Sequence, residues 1–134
     1  MKDTLFSILR VLQKSQNQST TLGTHNTQFS KMRLRSAALT AEMVIQGLNL
    51  EKKVVLVTGV NSGLGKETAR VLTMRNALVI GTGKTLQLAK EACLAFGERA
   101  IPMECELSDP ESIRRCIDQV KIRNFQLDAI VANA

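Results

Sequence analysis

The chain contains no tyrosine and no tryptophan, and it has one histidine, two prolines and three cysteines in 134 residues. Each scarcity removes a class of chemistry. Without Tyr there is no phenol to serve as a general acid or base, and four Phe are the whole aromatic stock for stacking on nucleobases. Cys93, Cys105 and Cys116 are odd in number and far apart, and with His25 they give no zinc-ligand spacing, so no metal site is expected. Reduced, buried thiols in a cytoplasmic type of protein are the expectation. No apolar run reaches the roughly 20 residues that cross a bilayer as a helix. The charge of +6 is uneven, with six Lys/Arg against two Asp/Glu up to Leu50 and twelve against ten after it. A basic surplus on the leader without interleaved aromatics argues against a nucleic-acid partner.

What the sequence does have is one informative stretch, Val54-Val55-Leu56-Val57-Thr58-Gly59-Val60-Asn61-Ser62-Gly63-Leu64-Gly65, which runs straight into Lys66-Glu67-Thr68-Ala69. A short β-branched and aliphatic run reads as a strand of a parallel sheet buried on both faces. Gly59 releases the strand into a tight turn, Gly63 lets backbone approach a ligand, and Gly65 lets the next helix sit close on the strand. A helix beginning near Ser62 presents unpaired first-turn amides, which favour a pyrophosphate. The bland alternative is a glycine-rich turn joining any strand to any helix.

The rest of the chain supplies context for that stretch. Leu5, Ile8, Leu9 and Leu12 recur at helical spacing, predicting a short amphipathic helix over residues 1–16, either packed on the domain or acting as a membrane-surface or targeting helix. A polar linker (16–30), a solvated basic cluster (31–35) and a short helix over Thr40–Gly47 follow. The first helix after the glycines should run from Gly63 to Arg75 and stop at Asn76. Ala77–Ile80 is expected as the second strand, with Gly81–Thr85 as the turn after it. Leu86, Ala89, Cys93 and Phe96 mark a helix stripe closed by Gly97, and Ala100–Cys105 a third strand, placed at an edge by Pro102. Ser108-Asp109-Pro110-Glu111 reads as a capping box opening a helix whose core face is Ile113, Cys116, Ile117 and Val120. A fourth strand is expected over Leu127–Ala132. Gly83-Lys84-Thr85 looks like the end of a P-loop, but the glycine required five residues earlier is Leu78.

Thr58-Gly59-x-x-x-Gly63-x-Gly65 resembles the cofactor signature of the short-chain dehydrogenase/reductase family. Thr40, Ala41, Glu42, Val44, Gly47 and Leu50 resemble the lead-in of its retinol-dehydrogenase-like and WW-domain-containing-oxidoreductase-like branch. The resemblance implies an α/β fold, a Rossmann-type parallel sheet in strand order 3-2-1-4, divided into a leader (1–38) and a partial NAD(P)-binding domain (39–134). It implies that Gly59, Asn61, Ser62, Gly63, Leu64 and Gly65 surround a dinucleotide, with the 81–85 turn facing the adenosine ribose. That turn has no acid for a ribose hydroxyl of NAD. It has Lys84 where members often carry Arg, with Thr82 as a hydroxyl donor, which implies NADP with NAD as a second choice. A merely solvated Lys84 is the alternative.

Glu106-Leu107-Ser108-Asp109 resembles the Asp-Leu element bordering the adenine, with Glu106 in place of Asp. Ala132-Asn133-Ala134 resembles the Asn-Asn-Ala-Gly motif, in which Asn133 helps fix the sheet beside the cofactor. The family's catalytic Ser, Tyr and Lys lie beyond the fourth strand, so no catalytic residue is assigned and the chain is expected to bind cofactor without turnover. The fourth strand is also expected to leave an apolar edge that drives self-association. The competing readings are a non-catalytic nucleotide-binding or interaction module and, more remotely, a P-loop hydrolase.

Overall fold

The computed structural model describes residues 41–133, so the expected helix, linker and basic cluster of the leader lie outside the described residues. Eight elements follow one another: α1 (Ala41–Val44), β1 (Val54–Thr58), α2 (Gly63–Met74), β2 (Leu78–Gly83), α3 (Leu86–Leu94), β3 (Ala100–Glu104), α4 (Pro110–Ile122) and β4 (Ala129–Val131). The four strands form one sheet, all parallel, in the order β3-β2-β1-β4. Register runs Leu56 beside Ile80 on one side and beside Ile130 on the other.

The strands alternate their side chains between two cores. On one face Val55, Val57 and Val79 pack with Ala69 and Leu72 of α2 and with Ala92 and Cys93 of α3. On the other, Ile80 and Met103 pack with Cys116 and Val120 of α4, joined by Val54, Leu56, Cys105 and Phe125. The result is three layers, helix, sheet and helix. Val55, Val57, Val60 and Val79 are wholly shut from solvent, each contributing roughly 2 kcal/mol by burial.

Several elements depart from their sequence reading, each for a local reason. β2 does not end at Ile80 but continues through Gly83, because Gly81 and Gly83 are places where α3 lies against the strand. A Cβ on Gly81 would stand 2.8 Å from Cys93 Sγ, and one on Gly83 3.0 Å from the Ala89 amide. Leu86 and Ile117 were expected in cores, yet they are 39% and 46% exposed. The buried stripe of α4 is Ser112, Cys116 and Val120 instead. Its N-cap is Asp109, accepting from the Glu111 amide, while Ser108 bonds Glu106. β4 is only three residues long and Ile130 on it is 63% exposed. The expected stop of α2 stands, with Asn76 at φ 68°.

Paired carboxylates and cations fasten the periphery. Arg70 of α2 holds Glu67 at 2.8 Å and Glu42 of α1 at 2.5 Å, so the short first helix is moored to the second. At the foot of the sheet, Asp128 accepts from Lys53 Nζ at 2.9 Å and from the Val54 amide at 2.8 Å, while its own amide donates to Val54 O. That clamp joins the starts of β1 and β4.

Candidate functional site

β1 has β2 on one side and β4 on the other, so the direction of winding reverses between β1 and β4. In open parallel sheets the crevice at such a reversal, beyond the carboxyl ends of the strands, is where ligands bind. The glycine-rich stretch lies there. Gly59 turns the chain out of β1 at φ 66°, and Val60 returns at once to bond Thr82 O through its amide, 3.0 Å. Asn61, Ser62, Gly63 and Leu64 are then all exposed, and Gly65 is buried.

The helix that starts here differs from the other long helices. Thr85 caps α3 by accepting from the Leu88 amide and Asp109 caps α4 by accepting from the Glu111 amide, but Ser62, at the N-cap of α2, makes no side-chain cap bond. The first-turn amides of Gly63, Leu64 and Gly65 precede any intrahelical acceptor. No acidic residue sits in that turn, so the positive end of the helix dipole is not neutralised from within the helix's own first turn. A Cβ on Gly63, at φ 55°, would meet nothing within 4 Å. An anion has room to reach these amides.

Gly65 answers to a different constraint. A Cβ there would stand 2.3 Å from Gly59 O and 2.7 Å from Asn133 Nδ2, so only glycine lets α2 lie on the ends of β1 and β4. The structure thus brings Gly59, Gly65 and Asn133 together, three residues far apart in sequence. Thr58 completes the junction. Its hydroxyl donates to Val131 O at 3.4 Å and accepts from the Asn133 amide at 2.8 Å, tying β1 to the segment after β4. Sequence reasoning treated Thr58 only as part of the signature. Its signal was the hydroxyl beside Gly59, at the last position of a strand otherwise entirely apolar.

The remaining predicted residues stand at the ends of β2 and β3. Thr82 belongs to β2 rather than to a turn, is 1% exposed, and its hydroxyl has no hydrogen-bond partner among the described residues. That burial moves the hydroxyl out of the surface turn in which the sequence placed it. The carbonyl of Thr82 holds Val60 instead. Lys84 follows on the surface with its ammonium 3.2 Å from Glu106 Oε2, and its side chain is 74% exposed. The other oxygen of Glu106 accepts from the Ser108 amide at 3.1 Å and the Ser108 hydroxyl at 2.8 Å. Those two bonds, then Lys84, hold the Glu106 carboxyl below its ordinary value. Leu107 beside it is 43% exposed.

Gly83 is the last residue of β2 and Leu78 its first, so the Gly83-Lys84-Thr85 segment has no phosphate-binding loop ahead of it. Among the described residues no group of three metal-capable side chains comes together, and no helix is long and apolar enough to cross a membrane. Two grooves of about 510 and 580 Å³ lie along α4 and α3, each also lined by residues of β3, and neither is lined by residues 59–65. At the first turn of α2, residues 61–64 are exposed.

This geometry agrees with the known proteins the chain matches. The family model for short chain dehydrogenase matches residues 53–134. The 3-oxoacyl-[acyl-carrier-protein] reductase FabG of Vibrio cholerae is 36% identical over 87 residues, covering 65% of this chain and 36% of that protein. The WW domain-containing oxidoreductase of Gallus gallus is 30% identical over 100 residues, covering 71% of this chain and 24% of that protein. A crystal structure described as that of a betaketoacyl-ACP reductase shares 30% identity at a TM-score of 0.54, over 64% of this chain and 34% of that one. The matched region therefore spans about a third or less of these relatives. Signature, sheet order and matches converge, and the chain belongs to the short chain dehydrogenase family.

Proposed function

We propose that residues 39–134 form the cofactor-binding portion of a nicotinamide-dependent oxidoreductase, gripping the diphosphate of NADP(H) at the first turn of α2. The uncapped, acid-free N-terminus of α2 carries this reading, because among the described residues no side chain caps it and its first-turn donors suit an anion. Gly59, Asn61, Ser62, Gly63, Leu64 and Gly65 surround the diphosphate, and Asn133 holds the neighbouring strand end in place. Glu106 and Leu107 border the adenine. Bound there, the nicotinamide would accept or deliver hydride for an alcohol or carbonyl substrate of the family's kind.

Lys84 supplies the preference for the 2′-phosphate of NADP, and NAD is the second choice. Its ion pair with Glu106 makes the preference modest, because an incoming phosphate competes with a carboxylate already 3.2 Å away. Calorimetric titration of NADPH and NADH checks this. The expected result is tighter binding of NADPH, with the advantage lost in Lys84→Glu and enlarged in Glu106→Gln. Equal binding of both cofactors by all three proteins would remove Lys84 from the account.

The 134-residue chain, having no Tyr, is expected to bind without turning over a carbonyl substrate. A steady oxidation of NADPH by ketones would refute that expectation.

A further inference from the structure

The three cysteines are free, and two of them belong to one place. Cys105 follows β3 directly, its amide bonded to Gly83 O at 2.9 Å, and it packs into the core that contains Cys116 of α4. The next residue fixes the approach. The Glu106 amide donates to Ser112 Oγ at 3.0 Å, and Ser112 lies one helical turn before Cys116 on the same face of α4. Ser112 is 1% exposed, so this anchor is buried and holds the segment after β3 against the helix.

From this arrangement we propose that Cys105 and Cys116 are a redox-active dithiol, a modification site that closes to an intramolecular disulfide with low-molecular-weight disulfides as oxidant. The proposal does not depend on the cofactor reading. The two sulfurs have unequal roles. Cys105 is the less buried of the two and meets the oxidant, whereas Cys116 is buried and is one of the residues lining the groove of about 510 Å³ beside α4. Burial, then the neighbouring Cys105 thiol, pushes the Cys116 thiol up to about 12. As the more buried thiol, Cys116 acts second and resolves the first adduct.

In the first step the Cys105 sulfur, giving up its proton to solvent, attacks one sulfur of the small disulfide and expels the other as a thiolate. A mixed disulfide forms. In the second, Cys116 transfers its proton to solvent or to a departing thiolate and attacks the Cys105 sulfur, breaking the mixed bond and releasing the second small thiol. Two protein thiols are oxidised and one small disulfide is reduced to two thiols. Cys93, under α3 with its sulfur near Gly81 O at 4.0 Å and its thiol raised by burial, has no such neighbour among the described residues and stays reduced.

The test treats the full chain, natively folded, with oxidised glutathione, then blocks remaining thiols in denaturant and maps peptides by mass spectrometry. The expected product is a single, uncross-linked chain lacking two hydrogens, with the Cys105 and Cys116 peptides joined and Cys93 alkylated. Cys116→Ser should instead stop at a stable glutathione adduct on Cys105. Any of three outcomes overturns the proposal: a persistent glutathione adduct on Cys105 in the unmutated chain, a disulfide involving Cys93, or no reaction at Cys105 under conditions that oxidise the denatured chain.

Discussion

Single residues here are decided by distance. Gly65 is the sharpest case, because a methyl group at that position would stand 2.3 Å from a backbone oxygen that cannot swing away. Gly65→Ala is therefore expected to force α2 off the strand ends and to destabilise the chain by about 1–3 kcal/mol, as overpacking does. Urea denaturation monitored by circular dichroism measures it, and an unchanged midpoint would contradict the packing described. Gly63→Ala is different in kind: nothing crowds the new methyl, but φ 55° strains any L residue. Gly59 and Gly65 were legible in the sequence because their spacing is the signature. Gly81 was not, since a glycine in a strand that admits a helix sulfur looks, one-dimensionally, like a turn. Thr82 was misplaced with it, and its hydroxyl went from a surface donor to a sealed one.

Elements are held by a few polar clamps on top of their apolar faces. Asp128 bonds Lys53 and the Val54 amide across β4 and β1, and its side chain is 23% exposed. Asp128→Ala should cost about 2 kcal/mol, the usual scale for losing hydrogen bonds to a charged group, with the loss seen as a lower urea midpoint. The ion pairs of Arg70 with Glu42 of α1 and with Glu67 inside α2 are weaker, with Arg70 37%, Glu42 46% and Glu67 42% exposed, and each is worth at most about 1 kcal/mol. The pair inside α2 has a pH signature. The hydrogen bond from Arg70 holds the Glu67 carboxyl below its ordinary value, so the stabilisation is complete above that ordinary value and is lost as pH falls through the lowered one. Thermal midpoints of the unmutated chain and Glu67→Gln should differ at neutral pH and converge in acid. Helix stripes were legible only within one residue of rotation. Ile117 was expected inside by its apolarity, but Ser112 is inside because its hydroxyl takes the Glu106 amide.

For the molecule as a whole, the order of strands was legible because Pro102 marks an edge and the signature marks the centre. The extent of β4 was not, since an apolar run does not say where pairing stops. As described, β4 pairs with β1 alone and presents Ile130 outward at 63% exposure. The 134-residue chain is accordingly expected to self-associate through this edge, with sedimentation velocity showing dimers or larger species that Ile130→Lys disperses. A monodisperse monomer at high concentration would contradict it. The direct test of the central claim is an NMR titration of the isotopically labelled chain with NADPH. The account predicts that the largest backbone amide shifts fall on residues 61–65, at the first turn of α2. Saturable shifts confined to other elements, or none at all in a chain that is demonstrably folded, would contradict it.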